Sequence, residues 1–164
     1  MQLLFSELPN EARVEFARIS QVKSIQKDIG QKLTMTVAAV CSGIAAAPIP
    51  VADIAPITSL QVMLITGIGY VAGRALTMRH AAEMLTALGV NVGAAFALRE
   101  AARALIKFVF PGGGNVVSAT IAFAGTVGIG RAAVAYFIDG ASAAEARRAY
   151  EIGRGGGGRE LPET

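Results

Sequence analysis

Tryptophan is absent from this chain, and cysteine and histidine occur once each. A single cysteine, Cys41, rules out an intrachain disulfide. One cysteine and one histidine also leave little material for Cys-His or Ser-His-Asp chemistry. Charge is scarce: 16% of residues are charged, where a soluble domain usually carries about 25%. Aromatics make up 6%, and the basic residues are spread along the chain. A nucleic-acid site would need a denser cationic patch or stacking rings, so no nucleic-acid partner is expected. No Gly-x-x-x-x-Gly-Lys-Ser/Thr run occurs, which removes the phosphate loop of P-loop enzymes. The start, MQLLFSELPNEARVEF, lacks a basic stretch followed by an apolar one, and is not expected to be a signal peptide. The cytoplasm, or the cytoplasmic face of a membrane, is therefore the expected location.

Small apolar residues fill the space that charge leaves. Hydrophobic residues reach 53%, glycine numbers 19, and mean hydropathy is +0.51. This composition suits helices that approach one another closely. At 164 residues the chain is long enough for one domain with a real core. The net charge of +3 is mildly basic.

The pattern along the chain predicts an all-α fold. Residues 10–32 read as an amphipathic helix, with Ala12, Phe16, Ile19, Val22, Ile29 and Leu33 recurring at three- and four-residue steps with one seven-residue gap. Pro9 suits its first turn, with Ser6 and Asn10 as candidate caps. From Leu33 to Gly73 the only charge is Asp53. Pro48, Pro50 and Pro56 interrupt that run, which predicts a helix over about 31–47, a tight turn, and a second helix starting near Asp53. Asp53 would cap it, and Pro56 would sit in the first turn, where no N–H is missed. A third helical region is expected over 79–108, with Arg99, Arg103 and Lys107 as a basic stripe. Pro111 to Asn115 marks another turn, and Asn115 to Asp139 a further apolar helix. Ser142 and Glu145 have the spacing of a capping box for a short last helix. The implied organisation is an N-terminal amphipathic helix (1–32), a helical hairpin domain (33–152) and a flexible glycine-rich tail (153–164).

The stretch VMLITGIGYVAGRALT, Val62 to Thr77, admits two readings. As strand, glycine loop and helix it would bind a nucleotide; as one helix it would present a bare glycine face. A dinucleotide site needs an acidic residue at the end of a second strand about 20 residues on. Here Glu83 falls inside a helical pattern instead. Gly69 and Gly73 are four apart, the small-x-x-x-small spacing that lets helix backbones meet. A shift of sixty-one residues lays Pro50 on Pro111, and Gly67 and Gly69 on Gly128 and Gly130. With Gly125, these glycines are the expected helix-packing or partner surface of two related hairpins. Pro48, Pro50, Asp53, Pro111 and Asn115 would shape the hairpin tips. Gln61, alone in an apolar stretch, is expected to bond between helices.

No catalytic or metal constellation emerges. His80 and Glu83 lie one helical turn apart, and two ligands do not make a zinc site. Cys41 sits among small residues in AAVCSGIAAA and reads as a buried hydrophobe. No cofactor is expected.

Two longer stretches carry a resemblance. AAAPIPVADIAPITSLQVMLITGIGYVAGRAL and REAARALIKFVFPGGGNVVSATIAFAGTVGIGRAAVAYF together resemble domain-of-unknown-function family 697. The likeness lies in the proline-x-proline turn, Asp53, Gln61, Pro111 and the glycine-rich later helix, and covers about residues 35–150. It implies a helical, membrane-associated domain of the kind that often follows a G domain in Era-like GTPases. No G domain stands in this chain, so GTP hydrolysis does not carry over. The expected function is a non-enzymatic membrane-associated module, a partner of a separate GTPase, with homo-oligomers. The alternatives are a soluble self-assembling scaffold and, less favoured, a nucleotide-binding enzyme.

Overall fold

The structure, a computed structural model, describes residues 8–47, 54–87 and 113–155. Among the described residues there are six helices and no strand: α1 Asn10–Ser20, α2 Lys23–Ala46, α3 Ile54–Val71, α4 Met78–Ala87, α5 Gly113–Val134 and α6 Ala143–Gly155. The fold is all-α. Pro48, Pro50, Asp53, Pro111 and the basic stripe Arg99, Arg103 and Lys107 lie outside the described residues.

The amphipathic pattern over 10–32 does not form one helix. Gln21 takes a left-handed conformation (φ 53°) and ends α1, its side-chain amide donating to the Arg18 carbonyl at 2.6 Å. α2 then starts at Lys23 and runs without a break to Ala46, so a boundary at 32/33 falls inside it. The turn changes the buried face. Ile19, expected inward, is 74% exposed, while Ala17 and Ile25 are buried together against Val71. The reason is packing: the bend lets both α1 and α2 reach the C-terminal end of α3, where a straight helix would carry one of them away.

α2, α3 and α5 form the body. α2 and α5 are antiparallel, with Gly30 facing Val134 and Thr34 facing Gly130. α2 and α3 are antiparallel as well, with Leu33 beside Gly67 and Ile57 in one cluster with Cys41 and Ala45. α3 and α5 therefore run side by side in one direction. The main core gathers Leu64, Ile65, Ile68, Ile129, Phe137, Ile138 and Tyr150. Burying each such large side chain stabilises the fold by about 1.5–3 kcal/mol.

The glycine stretch is neither a strand nor a phosphate loop. α3 stops at Val71, and Gly73 follows in the left-handed region (φ 76°). The Gly73 N–H bonds the Tyr70 carbonyl and the Arg74 N–H bonds the Gly69 carbonyl, the paired bonds of a Schellman ending. Gly73 is thus past the helix, and it does not pair with Gly69 on one helix face. A side chain at this φ is strained, which is why glycine stands here. Leu76 folds back over Gly69, where a Cβ would come within 2.9 Å of the leucine Cγ.

α5 covers the expected apolar helix and widens into a π turn over Ala135–Asp139. Gly140, at φ 77°, turns the chain into α6. Ser142 and Glu145 bond reciprocally there: Ser142 N–H to Glu145 Oε2 at 2.8 Å, and Glu145 N–H to Ser142 Oγ at 3.3 Å. α6 continues to Gly155, into the stretch expected to be tail, because Gly153 packs on Gly128.

Candidate functional site

Charge divides the body into two ends. α2 carries no charge from Leu33 to Ala46, α3 none over its whole length, and α5 none before Arg131. These three segments lie together at the end where α2 finishes and α3 and α5 begin. At 1.5 Å per residue the α2 segment is about 21 Å deep. The charged residues of these three helices all lie toward the other end.

The charge-free end exposes large apolar groups. Val116 is 69% exposed, Met63 56%, Met35 and Val40 47% each, and Ile121 40%. Ser42, Ala46, Val116, Ala119, Thr120 and Phe123 line an open apolar groove between α2 and α5. Beneath lies a core of small groups: Cys41, Ala45, Ile57 and Ala122. Two helices, Lys23–Ala46 and Val116–Asp139, are long and apolar enough to cross a membrane by length and composition. Only 28% of the α2 window is buried within the protein, so most of an apolar helix faces outward.

Hydroxyls at this end turn inward to their own helices. Thr36, Ser59, Thr66 and Thr120 each donate to the carbonyl four residues back, at 2.8–2.9 Å. Such back-bonding satisfies a hydroxyl without water. Gln61 donates across to Thr126 Oγ1 at 3.1 Å, and Thr126 in turn donates to the Ala122 carbonyl at 2.8 Å. Both residues are buried, so the helix-to-helix bond satisfies groups that would otherwise be costly to bury.

The expected packing glycines have different surroundings. A Cβ on Gly130 would overlap the Thr34 side chain, and one on Gly128 would stand 2.7 Å from the Tyr150 carbonyl oxygen. The first seats an α2 side chain on the bare backbone of α5, and the second is a backbone-to-backbone approach of α5 with α6. A Cβ on Gly67 would meet Leu33 at 2.9 Å. Gly125 has nothing within 4 Å and makes no close approach inside the chain. Asn115 lies in the first turn of α5, inside the helix and not before it.

Sequence reasoning missed a polar junction at the charged end. The Tyr70 hydroxyl donates to Glu15, Arg18 pairs with Glu15 at 2.9 Å, and the Arg18 guanidinium lies 4.9 Å over the Tyr70 ring. The Tyr70 hydrogen bond, with Arg18 beside it, holds the Glu15 carboxyl below its ordinary pKa. The same bond raises the Tyr70 phenol. Gln26, buried, donates to the carbonyls of Val71 at 2.9 Å and Ala17 at 3.3 Å. A glutamine on a polar helix face gives no hint of this in sequence. Gly30, which packs on Val134, and Gly153, which packs on Gly128, were also missed.

His80 is exposed, its Nδ1 3.1 Å from the Thr77 hydroxyl that caps α4. Among the described residues no three of His, Cys, Asp and Glu are grouped to hold a metal. Comparison with family models, with curated proteins and with solved structures finds no match to this chain. The resemblance to family 697 thus rests on the residues quoted for it.

Proposed function

We propose that this chain is a non-enzymatic helical module that enters one face of a membrane with its charge-free end. The observation that carries the reading is the segregation itself: three packed helices lose all charge over the same depth and expose Val116, Ile121, Met35, Val40 and Met63 there. The bilayer hydrocarbon is about 30 Å thick. The α2 segment is about 21 Å long, deep enough to pass one leaflet and too short to span. Lys32 stands at its upper limit with 68% of its side chain exposed. The back-bonded hydroxyls and the Gln61–Thr126 bond fit an environment without water. In this reading the two turns around Pro48–Asp53 and Pro111 are the tips of two hairpins and lead the insertion. The close glycines hold the helices together beneath them. A separate GTPase as partner follows from the family resemblance alone.

The test is fractionation of the expressed protein with a carbonate wash. Retention in the washed pellet, and release by detergent, is expected. The paired variant Val116→Asp, Ile121→Asp should move to the soluble fraction with an unchanged melting temperature. Wild-type protein recovered in the soluble fraction as a discrete oligomer would overturn the reading and favour a self-assembling scaffold, in which the same apolar face packs on a second copy.

A further inference from the structure

The outer face of α6 carries two exposed arginines, Arg147 and Arg148, that form no ion pair with a described residue. We propose that Arg147 and Arg148 are a contact for anionic phospholipid headgroups, set at the height where the body leaves the hydrocarbon. This inference rests on the membrane reading above.

The height follows from the packing of α6. A Cβ on Gly153 would stand 2.8 Å from the Gly128 Cα, so the last turns of α6 lie beside Gly128. The charge-free run of α5 ends two residues further on, before Arg131. Arg148 and Arg147 precede Gly153 by five and six residues, about 8–9 Å up the helix and away from the charge-free end. The headgroup layer on each side of a bilayer is about 5–8 Å thick. Long arginine side chains on that turn reach it without strain.

The charge balance points the same way. Five described acids are already engaged: Glu15 with Arg18 and Tyr70, Asp28 with Lys32, Asp139 with Lys27, Glu151 with Arg154, and Glu145 with Ser142. Glu145, three residues before Arg148, has its carboxyl held low chiefly by its two bonds to Ser142, with Arg148 adding a smaller through-space pull. Arg147 and Arg148 are exposed and form no ion pair with a described residue. A second feature is apolar. Ile152, one turn beyond Arg148 on the same face and nearer the charge-free end, is 53% exposed. Ala144, Arg147, Arg148, Glu151 and Ile152 share one shallow surface depression. A cationic band with an apolar group below it is the order a leaflet presents in reverse, anionic heads above acyl chains.

The experiment is flotation of the whole chain with neutral phosphatidylcholine vesicles and with vesicles containing phosphatidylglycerol. The pair is compared with Arg147→Gln, Arg148→Gln, whose melting temperature should match wild type. Wild type is expected to float with both vesicles and to prefer the anionic ones. The double variant should lose about thirtyfold in partition onto anionic vesicles and nothing onto neutral ones, since each surface arginine contributes about fivefold. Equal flotation of wild type on both vesicles, or a variant that keeps the anionic preference, would overturn the headgroup contact while the membrane reading stands. Wild type that floats with neither would overturn the membrane reading itself.

Discussion

The two ends of the α2–α3–α5 body share the same helices and differ in nearly everything else. At the charge-free end the core is built from Cys41, Ala45, Ile57 and Ala122, and the buried Gln61–Thr126 bond crosses between helices. At the charged end the core holds Phe137, Ile138, Tyr150 and the α3 residues Ile65 and Ile68, and ion pairs and side-chain-to-backbone bonds surround it. One end relies on small side chains and self-satisfied hydroxyls, the other on large side chains, close glycine approaches and polar clasps. The lesson is that a helix need not keep one character along its length. Its sequence can change environment partway along without a break in the backbone.

The sharpest way to probe this comparison uses two glycines three residues apart. Gly128→Leu should cost about 3 kcal/mol or more, because its Cβ meets the Tyr150 carbonyl and the adjacent α6 backbone cannot yield. Gly125→Leu should be neutral, or stabilising by up to about 1 kcal/mol, since nothing lies within 4 Å and leucine favours helix. Denaturant unfolding of the two variants decides it; equal losses would mean that the close approach at Gly128 is not what holds α6. Next in size is Thr126→Val, which leaves the buried Gln61 amide without its acceptor. A loss of about 1–3 kcal/mol is expected, measured by the same unfolding midpoint. Gln26→Met at the other end should cost about 2 kcal/mol through two orphaned carbonyls.

The smallest effect concerns pH. The folded Glu15 carboxyl titrates below its ordinary value of 4.5, chiefly through the Tyr70 bond. A depressed folded pKa contributes stability that is present above the unfolded value and lost as pH falls through the folded one. Tyr70→Phe should therefore flatten the dependence of melting temperature on acidity between about pH 3 and 5. An unchanged slope would mean that Glu15 is not held by Tyr70 in solution.

The elements that could be read from sequence were those with local punctuation. The apolar run to Asp139 ends where charge returns, the proline cluster brackets the end of α2, and Ser142 with Glu145 caps α6 through atoms three residues apart. The break at Gln21 has no proline or glycine to announce it. It exists because α1 and α2 both gain by reaching Val71, a residue some fifty positions away. Gly73 illustrates a different limit. Spacing identifies it as a partner for Gly69, but only backbone direction reveals that it ends the helix. Gln61 was legible because it is polar in an apolar run, and Gln26 was not because its neighbours are polar too.

Gln26 has one further consequence, for how the molecule opens. Its amide is shared between the last-turn carbonyls of two helices that are distant in sequence, α1 at Ala17 and α3 at Val71. If either end frays, the buried Gln26 amide loses one of its two acceptors, which opposes separate opening. Amide hydrogens of α1 and of the last turn of α3 should thus exchange with deuterium as one cooperative unit, at one rate, though more than fifty residues separate them along the chain.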